Sequence, residues 1–245
     1  MTARSVHRWL AWALALPLLW LSLSGALLGF AAEMDRIMHV ELMTTPMSQQ
    51  PTLSETIQRN LIAQAYPAYQ WLSFSPAQNP VDTSLAVMQD DEGRAWQIFL
   101  NPKLGVINGV RPLESDWKLV LTDWHKFGFF PKPWGEWVAA VSTVLSLAVV
   151  ISGWAQSRHQ GQSNYSLHRL AGQWASPLLG VLLVSGLLLF AQSVDWISAS
   201  LDWASVHQGD WLGMPGRLLW VLLSFLLAWL VIGGLWLVST HKKDY

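Results

Sequence analysis

Residues 168–192 read HRLAGQWASPLLGVLLVSGLLLFAQ, and residues 7–31 read HRWLAWALALPLLWLSLSGALLGFA. Both open on His-Arg, and both place Ser-Gly at offsets 17 and 18 from that histidine, as Ser185-Gly186 and Ser24-Gly25. Pro177 matches Pro17, and Phe190 matches Phe30, to within one position. Neither stretch contains a charge after its arginine. An α-helix needs about 20 apolar residues to cross roughly 30 Å of hydrocarbon. Each stretch is therefore long enough for one crossing.

Two further stretches are similarly free of charge. No Asp, Glu, Lys or Arg occurs from Trp137 to Ser157 or from Leu218 to Thr240, just as none occurs from Trp9 to Ala32 or from Leu170 to Val194. These two also match one another. His125 precedes Pro133 by 8 and Trp154 by 29, and His207 precedes Pro215 by 8 and Trp236 by 29. The sequence predicts a membrane all-α fold, a four-transmembrane-helix bundle made of two repeated hairpins. A soluble domain is inserted between helices 1 and 2 of the first hairpin. The expected divisions are 1–34 for the start and helix 1, 35–123 for the inserted domain, 124–157 for helix 2, 158–194 for helix 3, 195–215 for an outer loop and 216–245 for helix 4 and the tail.

Basic residues set the orientation. Arg4 and Arg8 precede the first span, Arg158 and Arg169 lie between the second and third, and Lys242 and Lys243 follow the fourth. Asp195, Asp202 and Asp210 occupy the other short loop, whose one basic residue is Arg217. Both termini are thus expected in the cytoplasm of a cell whose inner membrane holds the chain. The first span is too long for the core of a cleaved signal peptide and reads as an uncleaved anchor.

Composition removes several function classes. The chain has 245 residues, 52% hydrophobic and 13% charged, with a net charge of −1, so no basic face is offered to nucleic acid. It has no cysteine, which excludes thiolate iron–sulfur clusters, disulfides and covalent c-type haem. Many of its 17 tryptophans flank the spans, as membrane-interface belts require. No dinucleotide fingerprint is present.

The inserted segment reads as a small α+β domain. An amphipathic helix is expected between Pro51 and Pro67, capped by Thr52 with Glu55 and presenting Ile57, Leu61 and Ala65. Strands are expected at Gln70–Phe74, Ser84–Gln89, Ala95–Leu100 and near Val106–Val110. Turns fall at Asp91-Glu92-Gly93 and at Asn101 to Gly105.

Four histidines obey the repeat. His7 and His168 open two parallel helices at one depth, and His125 and His207 precede the other two at the opposite depth. About twenty residues at 1.5 Å each separate the levels by roughly 30 Å, so His7 can share a ligand only with His168, and His125 only with His207. Two imidazoles on facing helices suit the two axial positions of a b-type haem iron. Arg8 and Arg169 on one side, and Arg217 on the other, are candidate partners for haem propionates. The ordinary alternative is that juxtamembrane histidines sit among lipid headgroups, as His39, His159 and His241 are expected to do. Arg111, Lys118, Lys126 and Lys132 could draw an anion to the outer face, although solvated loop charges are the commoner explanation.

These motifs resemble the His-Arg-x-x-Gly and Thr/Ser-Gly helices of the PepSY-associated transmembrane family. The second copy carries His168-Arg169-Leu170-Ala171-Gly172 before Ser185-Gly186, whereas Ala11 stands at the matching glycine of the first. Trp124-His125 through Ser152-Gly153-Trp154, and His207 through Gly234-Leu235-Trp236, resemble its other helix pair. Phe99 to Val106 resembles the strand and turn of its PepSY domain, with Asn101 and Leu104 replacing the usual Asp and Thr. The resemblance implies a PepSY-like periplasmic domain and two haem b groups, with His7 and His168 on the inner iron and His125 and His207 on the outer. It implies a haem-dependent ferric-chelate reductase acting in iron uptake. The donor would be quinol or a cytoplasmic reductase, and the acceptor a ferric siderophore or other periplasmic chelate. From the residues alone, a non-catalytic membrane anchor whose soluble domain binds a partner or regulates a protease or transporter remains the alternative. A transporter is disfavoured because no span carries an internal ionisable residue.

Overall fold

A computed structural model describes residues 3–159, 167–198 and 202–240. The loop after Arg158, the tail with Lys242 and Lys243, and His241 lie largely or wholly outside these residues. The chain divides into two compact units, residues 1–30 with 121–245, and residues 31–120.

The first unit is helical. Its chain runs through α1 (Ala3–Ala13), α2 (Ala15–Leu28), the end of α6 (Trp117–His125), α7 (Trp134–His159), α8 (Leu167–Ser193), α9 (Trp203–Gln208) and α10 (Gly213–Thr240). Three helices are long and apolar enough to cross a membrane, over Trp134–Gln156, Leu167–Ser193 and Asp210–Val238. The first expected span is instead a bent pair, α1 and α2, meeting at 64°. Pro17 supplies the cause. It has no N–H for the carbonyl of Ala13, and its ring crowds that carbonyl, so the helix breaks at Leu14. Counting the pair as one span gives four crossings. Pro177 lies inside α8 without breaking it.

Side chains around the break are what this unit buries. Leu14, Leu18, Ala175, Leu179, Trp220, Leu223, Leu227 and Leu230 form its core. Packing runs from α1 to α7, α7 to α8, α8 to α10 and α10 to α2, which closes a ring of helices. Serine hydroxyls inside the ring return to their own helix: Ser22 Oγ donates to Leu18 O at 2.5 Å and Ser146 Oγ to Ser142 O at 2.5 Å.

The second unit contains α3 (Ala31–Met38), α4 (Val40–Met43) and α5 (Glu55–Ala65), with β1 (Gln70–Ser75), β2 (Ser84–Gln89), β3 (Ala95–Leu100) and β4 (Ile107–Pro112). The strands form one antiparallel meander in the order β1-β2-β3-β4. β2 and β3 have the expected limits, and Gly93 at φ +80° turns the chain between them. Asn101 Oδ1 accepts from the N–H groups of Lys103 and Leu104 at 3.0 and 3.1 Å, the bonds an aspartate would make there. Gly105, at φ +67°, lies so close to α5 that a Cβ would meet Leu61 Cδ1 at 2.7 Å.

The helix on this sheet differs from expectation by a rotation. Ser54, not Thr52, caps α5 by accepting from Ile57 N. Its buried residues are Gln58 and Ile62, while Ile57 is 47% exposed and Ala65 is exposed. Moving the stripe by one residue turns it by about 100°. A glutamine disguised the buried face, and it is satisfied there because Gln58 Nε2 donates to Leu53 O at 2.7 Å. Ile62 then packs with Ala86, Met88, Ile98 and Leu100.

Arg111 is not a surface cation. It lies buried on the other face of the sheet, donating to both oxygens of Asp35 at 2.7 and 2.6 Å and from Nε to Gln97 Oε1 at 2.6 Å. Gln97 Nε2 donates in turn to Asp116 Oδ2 at 2.8 Å, and His39 contacts Asp35 Oδ1 at 2.9 Å. A bidentate arginine with its carboxylate, both shielded from water, has no capacity for an arriving anion. His39 belongs to this network, where headgroup contact was expected.

Candidate functional site

Four imidazoles are seated alike within the helical unit, each against a glycine of another helix. His125 ends α6, and its Cε1 lies 3.3 Å from where a Cβ on Gly25 of α2 would stand. For His207 of α9 the same distance, to Gly186 of α8, is 3.0 Å. His7 of α1 rests on Gly153 of α7 at 3.0 Å, and His168 of α8 on Gly234 of α10 at 3.2 Å. Most side chains would have to displace the ring, so glycine forms each floor. Gly25 and Gly186 follow His7 and His168 by 18 residues in sequence. They instead receive the histidines of the opposite level, because each histidine packs across its hairpin.

Beside three of these glycines stands a serine. Ser24 Oγ gives its proton to Trp20 O at 2.6 Å and lies 2.9 Å from His125 Nδ1. Ser185 Oγ donates to Leu182 O at 2.9 Å and lies 3.0 Å from His207 Nδ1, which is also 3.1 Å from Leu182 O. Ser152 Oγ donates to Val149 O at 3.0 Å, and His7 Nδ1 lies 3.0 Å from that carbonyl and 3.2 Å from the hydroxyl. A carbonyl oxygen only accepts, and each serine proton is already committed. The proton of these three rings is therefore on Nδ1, which leaves a lone pair on Nε2. That nitrogen is the one a metal would take.

One of the two expected couples is in ring contact. His125 and His207 have ring centroids 6.2 Å apart, inclined at 46°. His7 lies close enough to His168 to act on it electrostatically. Burial pushes His125 down to about 3, helped by the neighbouring His207 and by Lys126, and burial pushes His207 down as well. Both outer rings are neutral at neutral pH, as ligation requires.

The arginines are less uniform. Arg8 is exposed, and Arg169 is half-buried beside His168. Arg217 is engaged elsewhere, with Nε and Nη2 donating to Gly29 O at 3.1 and 2.5 Å, Asp210 Oδ1 at 3.7 Å and Phe30 beneath its guanidinium. It satisfies a carbonyl at the end of α2, where a helix leaves such groups without partners. Lys126 pairs loosely with Glu136 at 3.9 Å.

Sequence reading missed the serines as ring anchors, although the recurring Ser-Gly pairs were the signal. It also missed the aromatic clusters in the helical unit. Trp20, Trp124, Phe127 and Phe129 pack together on one side, with Trp20 Nε1 donating to Trp124 O at 2.7 Å. Trp137, Phe190 and Trp196 form a second cluster. Among the described residues, no three His, Asp or Glu side chains gather as a metal-ion site.

A family model described as PepSY-associated TM region matches residues 4–205. No curated protein matches the chain.

Proposed function

This chain belongs to the PepSY-associated TM family, and we propose that it carries electrons across a bacterial inner membrane on two b-type haems. The membrane part is two copies of one hairpin with the 31–120 unit inserted in the first, and both termini are cytoplasmic. Electrons enter from the quinol pool or a cytoplasmic reductase and leave to a periplasmic acceptor, a ferric siderophore or other ferric chelate. Reduction releases iron from such chelators because their hard oxygen donors hold Fe(III) more tightly than Fe(II).

The observation that carries this reading is the geometry of the outer couple. A ligating imidazole nitrogen lies about 2.0 Å from a first-row metal, with its ring centre roughly 1.1 Å behind it. Two rings that would hold one metal between them would have centroids about 6 Å apart. The observed 6.2 Å fits. Nδ1 is held at both rings, so both Nε2 lone pairs are available. The glycine floors let each imidazole seat closely against the neighbouring helix. Two imidazoles with no third ligand suit a macrocyclic iron better than zinc. Haem held there supplies one-electron Fe(III)/Fe(II) exchange.

The protein's own share is to hold four neutral imidazoles, keep water from them and fix their tautomers. Ser24, Ser152 and Ser185, with the carbonyls of Val149 and Leu182, do the last of these. Arg8 and Arg169 are placed to offset propionate charge on one side. Arg217 could do so on the other only through what its bonds to Gly29 O leave over.

The purified protein is expected to give a b-type α band in a dithionite-reduced minus oxidised spectrum, with two haems per chain by pyridine haemochrome. His125→Ala should lose roughly half of that haem, and His168→Ala the other half. No α band would leave only a membrane anchor with a soluble domain. Loss of all haem from either single variant would overturn the pairing.

A further inference from the structure

One of the four seats lacks its anchor. His7, His125 and His207 each have Nδ1 within hydrogen-bond distance of a serine hydroxyl, and His7 and His207 also of a backbone carbonyl. His168 Nδ1 is buried and has no hydrogen-bond partner among the described residues. Of the two acceptors that His7 meets, Val149 O and Ser152 Oγ, the side-chain one differs between the two seats by a single position. Ser152 precedes Gly153, the floor of the His7 seat, whereas Gly233 precedes Gly234, the floor of the His168 seat. Crowding does not forbid a serine there. A Cβ on Gly233 would lie 3.8 Å from His168 Nδ1, an ordinary contact, with no other side chain within 4 Å.

A hydrogen bond accepted from Nδ1–H makes Nε2 a stronger donor to a metal. Stronger donation favours Fe(III) over Fe(II) and lowers the reduction potential of that iron. The outer couple has both rings anchored, and the inner couple has one. We infer that position 233 tunes the inner centre: the iron held by His7 and His168 has the higher potential of the two, and Gly233 is the residue that raises it. A buried ring nitrogen left without a partner is otherwise costly. Gly233 is a positioning residue by omission, since it withholds the bond that Ser152 supplies across the couple.

This inference rests on the haem reading above, and its test separates the two. Redox titration of the reduced α band is performed on the purified full-length protein, with the inner component identified as the one surviving in His125→Ala. Gly233→Ser should shift the inner midpoint downward at unchanged haem content and leave the outer one in place. Ser24→Ala should raise the outer midpoint, while Ser152→Ala and Ser185→Ala, which leave the carbonyls of Val149 and Leu182 in place, should raise the inner and outer midpoints by less. The exchange variant S152G/G233S leaves Val149 O to His7 and gives His168 a hydroxyl, so its inner midpoint should lie below that of the unaltered protein. Should Gly233→Ser fail to accumulate, the Ser152→Ala shift carries the test alone. Two titrating haems whose inner midpoint ignores residues 152 and 233, or an outer midpoint above the inner in the unaltered protein, would overturn this inference and leave the haem reading intact. An unaltered protein with no α band overturns both.

Discussion

Asp90 shows how one carboxylate fixes a turn, and how pH should expose it. Its oxygens accept from Trp96 Nε1, Arg94 Nε, and the backbone N–H groups of Glu92 and Arg94, all at 2.9–3.0 Å. Desolvation pushes its pKa up, but the bonds from Trp96 and Arg94 outweigh it and bring the group from 3.8 to about 2. A carboxyl lowered on folding stabilises the fold above its unfolded value, and that contribution disappears as pH falls. Thermal unfolding of the 31–120 unit within the whole chain should weaken between about pH 4 and pH 2, more steeply than in Asp90→Asn. Identical pH profiles for the two would contradict the assignment. The four histidines were legible because the repeat marks them. Their serine anchors were not, because the partner serine of His7 lies 145 residues away and is identified only by folding. Arg111 was misread for a similar reason, since its partner Asp35 is 76 residues distant.

At the scale of elements, β2 and β3 were readable to the residue because short apolar runs flanking a turn with a positive-φ glycine are local signals. α5 was readable in extent but not in rotation. Gln58 is buried through a bond to Leu53 O, and nothing in its own chemistry announces that. The rotation makes Ile62, fully shielded at 0% exposure, the residue that joins α5 to the sheet. Ile62→Ala should cost about 2–5 kcal/mol by chemical denaturation, the usual range for such a cavity. Ile57→Ala, at an exposed position, should cost a small fraction of that. Similar losses for the two would restore the stripe expected from sequence. The short helices α3, α4, α6 and α9 left little trace in the sequence. Each is held by neighbours and caps, such as Asp116 Oδ1 accepting from Lys118 N at 2.8 Å at the start of α6, and not by strong periodicity.

For the whole molecule, orientation is the property the proposal most needs. The chain has no cysteine, so single cysteines report on exposure without background. Asn79→Cys should react with a membrane-impermeant maleimide in spheroplasts, and Lys242→Cys only after the membrane is opened. The reverse pattern would invert the direction of electron flow. In the proposed orientation the membrane potential assists an outgoing electron by about 2.3 kcal/mol per 100 mV. That assistance offsets an inner centre of higher potential, so outward transfer does not require the two irons to be ordered downhill.

The sequence by itself determined that this is a membrane protein of the PepSY-associated family with a small mixed soluble part. Span length, absence of charge and recurring histidines are properties of local composition, and a bilayer selects on them directly. Only the tertiary structure decided that the first crossing is bent at Leu14, that Arg111 is buried against Asp35, and that each imidazole rests on a Ser-Gly or Gly-Gly step of a different helix. Those facts depend on which faces meet. A contact between residues a hundred positions apart is chosen by packing, not by spacing along the chain.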